Sequence, residues 1–458
     1  MLLDLLPLSL KKYFEMSKRQ RKHEVQLTLW YMPIVYITLS IILAVITLTL
    51  DLVVEVDQYS PELLKIGSNA NRMLVSTLIG GILTLSAFTL NSLLVVLTNF
   101  SGQFSPRMLM NFISDKNTQH ALGIFNGSFV YVLAIFLFIG NSNHEYFVAT
   151  PVTTILLAFI SAITFIYFIN HATTWMQVHN ITYSMKKVSE EIINKTLRED
   201  LEAYRTKAAE DLMEEEQADA QYMAAIKSGY LQLINYRTMI EEARKDNIII
   251  KLHAQVGDYT LRGNHLLSYW GPGADLVDEQ KYCKMIELGH KETELQDLQM
   301  GMHKLAEIGI KALSNDDPKT ATNAIHQMAE LMLTVDSYIT FTPYLMDNDK
   351  QVRVILLSES FDYYMYRGFG FIRHYAGDNH LVITEIISAL AMVAESIDTS
   401  KHDPIWKFAK NTLDHIEYKV LYELDKTFLL KSLYRLATIT DNDPDYYEIE
   451  ERFYSNTN

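Results

Sequence analysis

A single cysteine, Cys283, stands among 458 residues. That excludes an intramolecular disulfide and suits a chain facing a reducing compartment. A P-loop, Gly-x-Ser-x-Gly, His-Glu-x-x-His and spaced Cys/His clusters are all missing. With no motif for nucleotide, acyl-transfer or metal chemistry, the expectation is no enzyme, no cofactor and no metal. His171 and His179 stand eight apart, a poor spacing for shared metal ligation. Basic residues are outnumbered, with a formal net charge of −15 and no basic stripe outside the N-terminus. This argues against a general nucleic-acid binder. Charge is lacking altogether over the 34 residues from Met73 to Pro106.

What is there instead is apolar sequence in spanning lengths. Four runs reach the roughly 20 residues needed to cross a bilayer core: Leu29–Leu50, the stretch inside Met73–Pro106, Ala121–Ile139 and Thr150–Phe168. A polar, basic segment of 28 residues precedes the first run, which is not the layout of a cleavable signal. Lys and Arg orient the spans. Lys11, Lys12, Lys18, Arg19, Arg21 and Lys22 lie before the first span. Arg107 and Lys116 follow the second, and Lys186 and Lys187 follow the fourth. The opposite side has only Lys65 and Arg72 among acidic residues. Both termini are therefore expected in the cytoplasm of a multi-pass protein of the plasma membrane, in contact with lipid.

The second span carries too many polar groups for a lipid-facing helix. At 100° per residue, with Thr77 at zero, one 120° stripe collects Thr77, Gly80, Gly81, Thr84, Phe88, Asn91, Ser92, Val95, Thr98, Asn99 and Gly102. Nine of the eleven are small or polar, and such a stripe must face protein or water. Tight helix packing is one reading, with Asn91 bonding across the contact. The other is a water-lined pathway shared by several copies. Thr77, Gly81, Thr84, Asn91, Ser92, Thr98 and Asn99 then line it, and Phe88 and Val95 form apolar constrictions. This second reading expects a homo-oligomer passing an ion or small molecule. Asn126, Gly127, Ser128 and Tyr131 of the third span are candidates for meeting the stripe or for bonding between helices.

The remainder reads as a soluble α+β region. Asn170 to Ser228 contain no Pro or Gly, so residues 173–228 are expected as one long helix, with a shift in its apolar stripe between Ile192 and Leu197. Residues 229–273 read as a small β module with Gly257 and Gly263 at turns; no lysine stands where a carrier hairpin would hold one. Residues 280–440 read as a helical domain, with a helix over about 351–373 and one opened by Asp317 as N-cap and Pro318 as first residue. An acidic tail is expected at 441–458, and a basic arm at 1–28. The fold class is a mainly α membrane protein: four transmembrane helices, then a cytoplasmic α+β region.

Gln103 to Arg107, followed by Gly123, Phe125, Gly127, Phe129 and Tyr131, resembles the signature of the bacterial membrane-protein family known as domain of unknown function 2254. "GYLQLIN", "VGDYTLRGNHLL" and "LQDLQMGMHKLAEIGIKALSNDDPKTA" are similar to that family's cytoplasmic hallmarks. The family has Arg-Thr ahead of its Gln-Asp pair, where this chain has Lys291 to Glu294, and the loop before Asp317-Pro318 is two residues shorter here. The resemblance implies topology and a bacterial plasma membrane; it implies no activity. Two functions stand open: a channel lined by span two and gated by the cytoplasmic region, or a membrane-anchored sensor or assembly platform whose cytoplasmic region binds a ligand or partner.

Overall fold

The computed structural model describes residues 28–103, 115–139, 144–207, 219–414 and 422–455, with Arg21, Val25 and Ile416. Most of the basic arm, Gln-Phe-Ser-Pro-Arg from Phe104 onward and the run Glu214–Glu216 lie outside the described residues. The chain divides at Asn180/Ile181 into two units.

The first unit holds four helices long and apolar enough to cross a membrane. They are α1 (Tyr31–Leu52), α2 (Ser68–Gln103), α3 (Lys116–Ile139) and α4 (Ala149–Trp175). A two-residue pairing of β1 (Ile66–Gly67) with β2 (Tyr146–Phe147) ties the loops at one end. α3 is the central helix: half of its most apolar window is buried, against 17–22% for the other three. Its side chains Tyr131, Val132, Ile135 and Ile139 share a core with Ala44, Val75, Ile82 and Phe147. α1 comes close because Gly123 and Gly127 have no side chain. A Cβ on Gly127 would lie 2.7 Å from Ser40 Oγ and 3.1 Å from the Tyr36 carbonyl, and one on Gly123 would overlap the Tyr36 ring.

Several buried polar groups in this unit join helices. Asp51, buried at the end of α1, accepts from the backbone N–H groups of Val148, Ala149 and Thr150 and from the Thr150 hydroxyl. It thus supplies from another helix the N-terminal cap that α4 lacks locally. Thr47 bonds Tyr131 at 3.1 Å, and Ser161 donates to Ser128 at 3.2 Å. Asn126 bonds the Leu122 carbonyl of its own helix. Gly127, Ser128 and Tyr131 therefore serve α1 and α4 rather than the stripe of the second span.

The second unit begins in α5 (Val178–Glu191). A π-helical turn over Ile192–Leu197 follows, where the sequence shows its shift of apolar stripe. The long helix expected to Ser228 does not form. Helix ends near Asp200, and Arg205–Thr206 is a strand, β3. Pairing of Arg205 and Thr206 with Leu345 and Tyr344 overrides local helix propensity.

The expected small β module is part of a larger assembly. β4 (Gln221–Ala224), β5 (Gly229–Ile234), α6 (Tyr236–Lys245), β6 (Ile249–Leu252), β7 (Tyr259–Thr260) and β8 (His265–Trp270) are followed by α7 (Glu279–Cys283) and β9 (Ile286–Gly289). Two further strands, β10 (Tyr344–Met346) and β11 (Val352–Ile355), interrupt the expected helical domain. The six-stranded sheet has the order β3-β10-β11-β6-β8-β4, with only β6 and β11 parallel. A three-stranded sheet has the order β7-β5-β9. Gly257 and Gly263 sit at φ +99° and +91° in the connections on either side of β7, as turn glycines do.

Helices complete the unit: α8 (Leu298–Ser314), α9 (Pro318–Tyr338), α10 (Phe361–Met365), α11 (Phe371–Ala376), α12 (His380–Ala394), α13 (His402–Leu413), α14 (Glu423–Ile439) and α15 (Asp443–Ser455). Asp317 caps α9 through the Thr320 N–H, with Pro318 at the first helical position. The helix expected from residue 351 starts only at Phe361, because Val352–Ile355 is taken into the sheet. The acidic tail folds too: Tyr446, Ile449 and Phe453 recur at helical spacing and are buried.

Candidate functional site

The stripe of the second span lies on α2, opposite the helix's buried face. Val75, Ile82, Ser86, Thr89, Leu93 and Val96 form its buried face. Thr77, Gly80, Gly81, Thr84, Phe88, Asn91, Val95 and Thr98 are exposed, and Ser92 is half-buried. Asn99 continues the helix, in a stretch whose side chains lie outside the described residues. A Cβ on Gly80 or Gly81 would meet nothing within 4 Å, so neither glycine serves packing inside the subunit.

The threonines close their hydroxyls on their own helix. Thr77 donates to the Met73 carbonyl, Thr84 to Gly80 and Thr98 to Leu94, each at 2.8 Å. Their donors are satisfied while their oxygens still face outward. Asn91 differs: its amide has no hydrogen-bond partner among the described residues. Phe88 meets Phe165 of α4 edge to face at 5.5 Å, which ties one expected constriction residue to a neighbouring span. Val95 is half-exposed.

The second unit holds a site that sequence reading did not assemble. Residues from three distant segments line one polar cavity of about 110 Å³: Gly257 and Asp258, then Asp297 and His303, then Tyr363 and Arg367. The first pair comes from the turn between β6 and β7. Its conformation is held by Asp258 Oδ2, which accepts from the Gln255 N–H at 3.0 Å. Asp297 caps α8, its Oδ1 accepting from Gln299 and Met300 at 2.8 and 3.1 Å. Gln296 sets its place by pairing both amide atoms with the Ile234 backbone of β5. Arg367 sits in a π-helical stretch, Tyr366–Gly370, a local widening common at functional sites.

The electrostatics of the cavity are unusual. Burial pushes the Asp297 carboxyl up to about 7, against the two capping N–H groups that favour its charge. Nearby Glu359 and Glu292 add to the upward push. Glu359 is itself raised, chiefly by burial. It lies beside a smaller adjoining cavity, where Arg205 is held between Glu202 at 2.8 Å and Glu359 at 3.8 Å. His303 points Nε2 at Glu307, 3.3 Å away, while its buried Nδ1 is without a hydrogen-bond partner among the described residues. The same holds for Arg367 Nε, whose guanidinium lies over the Phe371 ring. Tyr364 is fully buried, its hydroxyl unpaired among the described residues, and feels the Asp297 charge. No group of three or more His, Cys, Asp or Glu among the described residues is arranged to hold a metal ion.

Four apolar helices long enough to cross a membrane agree with a match to a known family model. The model described as "Predicted membrane protein (DUF2254)" covers residues 26–392. The chain belongs to this family. Similar proteins include an uncharacterized protein of Mycobacterium bovis and uncharacterized proteins of two Mycobacterium tuberculosis strains. Each is 28% identical over 312 residues, which are 66% of this chain and 59% of the relative. The chain thus matches about three fifths of the length of these relatives. No solved structure matches it. Both the α2 stripe and the cavity residues fall inside the DUF2254 match.

Proposed function

We propose that this DUF2254 protein is a homo-oligomeric channel of the bacterial inner membrane, with both termini in the cytoplasm and no enzymatic activity. α2 of each copy presents its small and polar stripe to a shared, wet axis that passes an ion or small solute. The cytoplasmic unit gates it. The observation that carries this reading is Asn91: an exposed amide within a span, with no hydrogen-bond partner among the described residues. Hydrocarbon leaves such a group unsatisfied at a cost of several kcal/mol, on the order set for buried amides. A second copy or water relieves that cost. Gly80 and Gly81 leave room for close approach, and Phe88, braced by Phe165, narrows the pathway.

Purified protein in liposomes tests it. Flux of ions above protein-free vesicles, altered in rate by Asn91→Ala and by Phe88→Ala, is the expected result. Silent vesicles for all three proteins contradict the proposal. The polar cavity of the second unit favours one alternative, a membrane-anchored sensor in which the spans only anchor. Normal cellular function after replacing the spans with unrelated anchors decides for that alternative.

A further inference from the structure

The cavity between the β6–β7 turn, the start of α8 and the π-helical stretch is built with its hydrogen-bonding capacity unspent. Its acceptors come from Asp258, Asp297 and His303. Asp297 commits Oδ1 to the α8 cap, while Oδ2 receives no hydrogen bond from the described residues and lies against Gly257. Asp258 uses one oxygen on the Gln255 N–H. His303 directs Nε2 to Glu307, so in the neutral ring that nitrogen carries the proton and Nδ1 is a free acceptor. One strong donor is also unspent, the buried Nε–H of Arg367. Buried polar atoms in native proteins are nearly always paired, so several orphans around one cavity call for a ligand.

The complement of this set carries both hydrogen-bond donors, for the carboxylates and His303, and an anionic acceptor, for Arg367. An ammonium group has three N–H donors and no acceptor, and a carboxylate matches a guanidinium. The volume of about 110 Å³ holds roughly four waters at about 30 Å³ each, or a solute of about half a dozen heavy atoms. A lone inorganic cation would leave Arg367 unpaired, and a lone anion would face the carboxylates. We propose that this cavity binds a small zwitterion of the amino-acid class. Its ammonium lies among Asp258, Asp297 and His303, and its carboxylate lies on Arg367. Tyr363, partly exposed, also lines the cavity. The site requires no conduction by α2, so its test is separate from that of the channel.

Titration calorimetry on the full chain in detergent micelles at pH 8, where Asp297 is mostly ionised, tests the assignment. The probes are glycine, L-alanine and L-serine, with ethylammonium and acetate as half-ligands. At least one zwitterion is expected to bind one per chain, about tenfold or more tighter than either half-ligand. Asp297→Asn keeps a side-chain oxygen for the α8 cap yet removes the charge, and is expected to weaken binding at least tenfold without lowering the melting temperature. Arg367→Gln is expected to do the same. No binding by any of the three zwitterions overturns the proposal. So does ethylammonium binding as tightly as they do, or wild-type affinity in both variants.

Discussion

Gly257 fits against Asp297 so closely that a Cβ at position 257 would lie 2.6 Å from the carboxylate Oδ2, on a backbone at φ +99°. Two penalties therefore fall on Gly257→Ala: left-handed strain of about 1–2 kcal/mol and an overpacking cost of about 1–3 kcal/mol. Gly263 has φ +91° but open space around it, so Gly263→Ala incurs the strain alone. Thermal melts of the two variants are expected to rank Gly257→Ala clearly below Gly263→Ala. Equal losses would show that the contact with Asp297 is slack.

Asp297 also makes stability depend on pH. Its folded pKa of about 7 lies above the ordinary carboxylate value because burial disfavours the charge. Between roughly pH 4 and 7 the folded chain keeps a proton that the unfolded chain has released. Stability contributed by this group is therefore full at low pH and falls as pH rises toward 7, by at most about 1.4 kcal/mol per unit. Other groups titrate as well, so the measurement is the difference between wild type and Asp297→Asn in denaturant melts from pH 4.5 to 8. That difference is expected to shift in favour of the variant as pH rises, then level off.

Asp51 is expected to matter far more than one surface acid. Asp51→Ala leaves three backbone N–H groups and the Thr150 hydroxyl without their acceptor at the start of α4. The loss is about 3 kcal/mol, and about 1 kcal/mol for Asp51→Asn, which retains one acceptor oxygen. Unfolding of the detergent-solubilised chain measures both.

The spans were legible because a bilayer demands long uncharged runs and internal backbone bonding. The stripe on α2 was legible for the same reason, since helical period alone places Thr77, Thr84 and Asn91 together. Less visible were Arg205–Thr206, a short strand whose partners lie more than a hundred residues away, and Val352–Ile355, which pairs with the nearby Tyr344–Met346 on one side and with Ile250 and Lys251, about a hundred residues away, on the other. The cavity was invisible as a unit. "VGD", "LQD" and "YRGFG" each carry a turn, a cap or a widened helix, and only the tertiary fold brings Asp258, Asp297 and Arg367 to one space. The Gln296-Asp297 pair offered the one local signal, because an acid just ahead of an apolar periodic run marks a helix start.

Glycines of the two spans are expected to answer differently. Gly127 in α3 sits against Ser40 and Tyr36, whereas Gly81 on α2 faces open space. Gly127→Leu should lower the melting temperature of the subunit. Gly81→Leu should leave that temperature unchanged and shift the particle to a smaller mass by light scattering. A Gly81→Leu protein of wild-type mass would place the stripe outside any contact between copies.

Water at the α2 stripe is the point on which the channel reading turns, and thiol reactivity reads it directly. In a Cys283→Ser background, Thr84→Cys lies on the stripe and Leu83→Cys on the exposed apolar flank of the same turn. A charged, membrane-impermeant thiosulfonate is expected to modify Thr84→Cys in intact membranes and reduce flux, with Leu83→Cys untouched. Thr84→Cys as inert as Leu83→Cys would contradict a wet, shared axis.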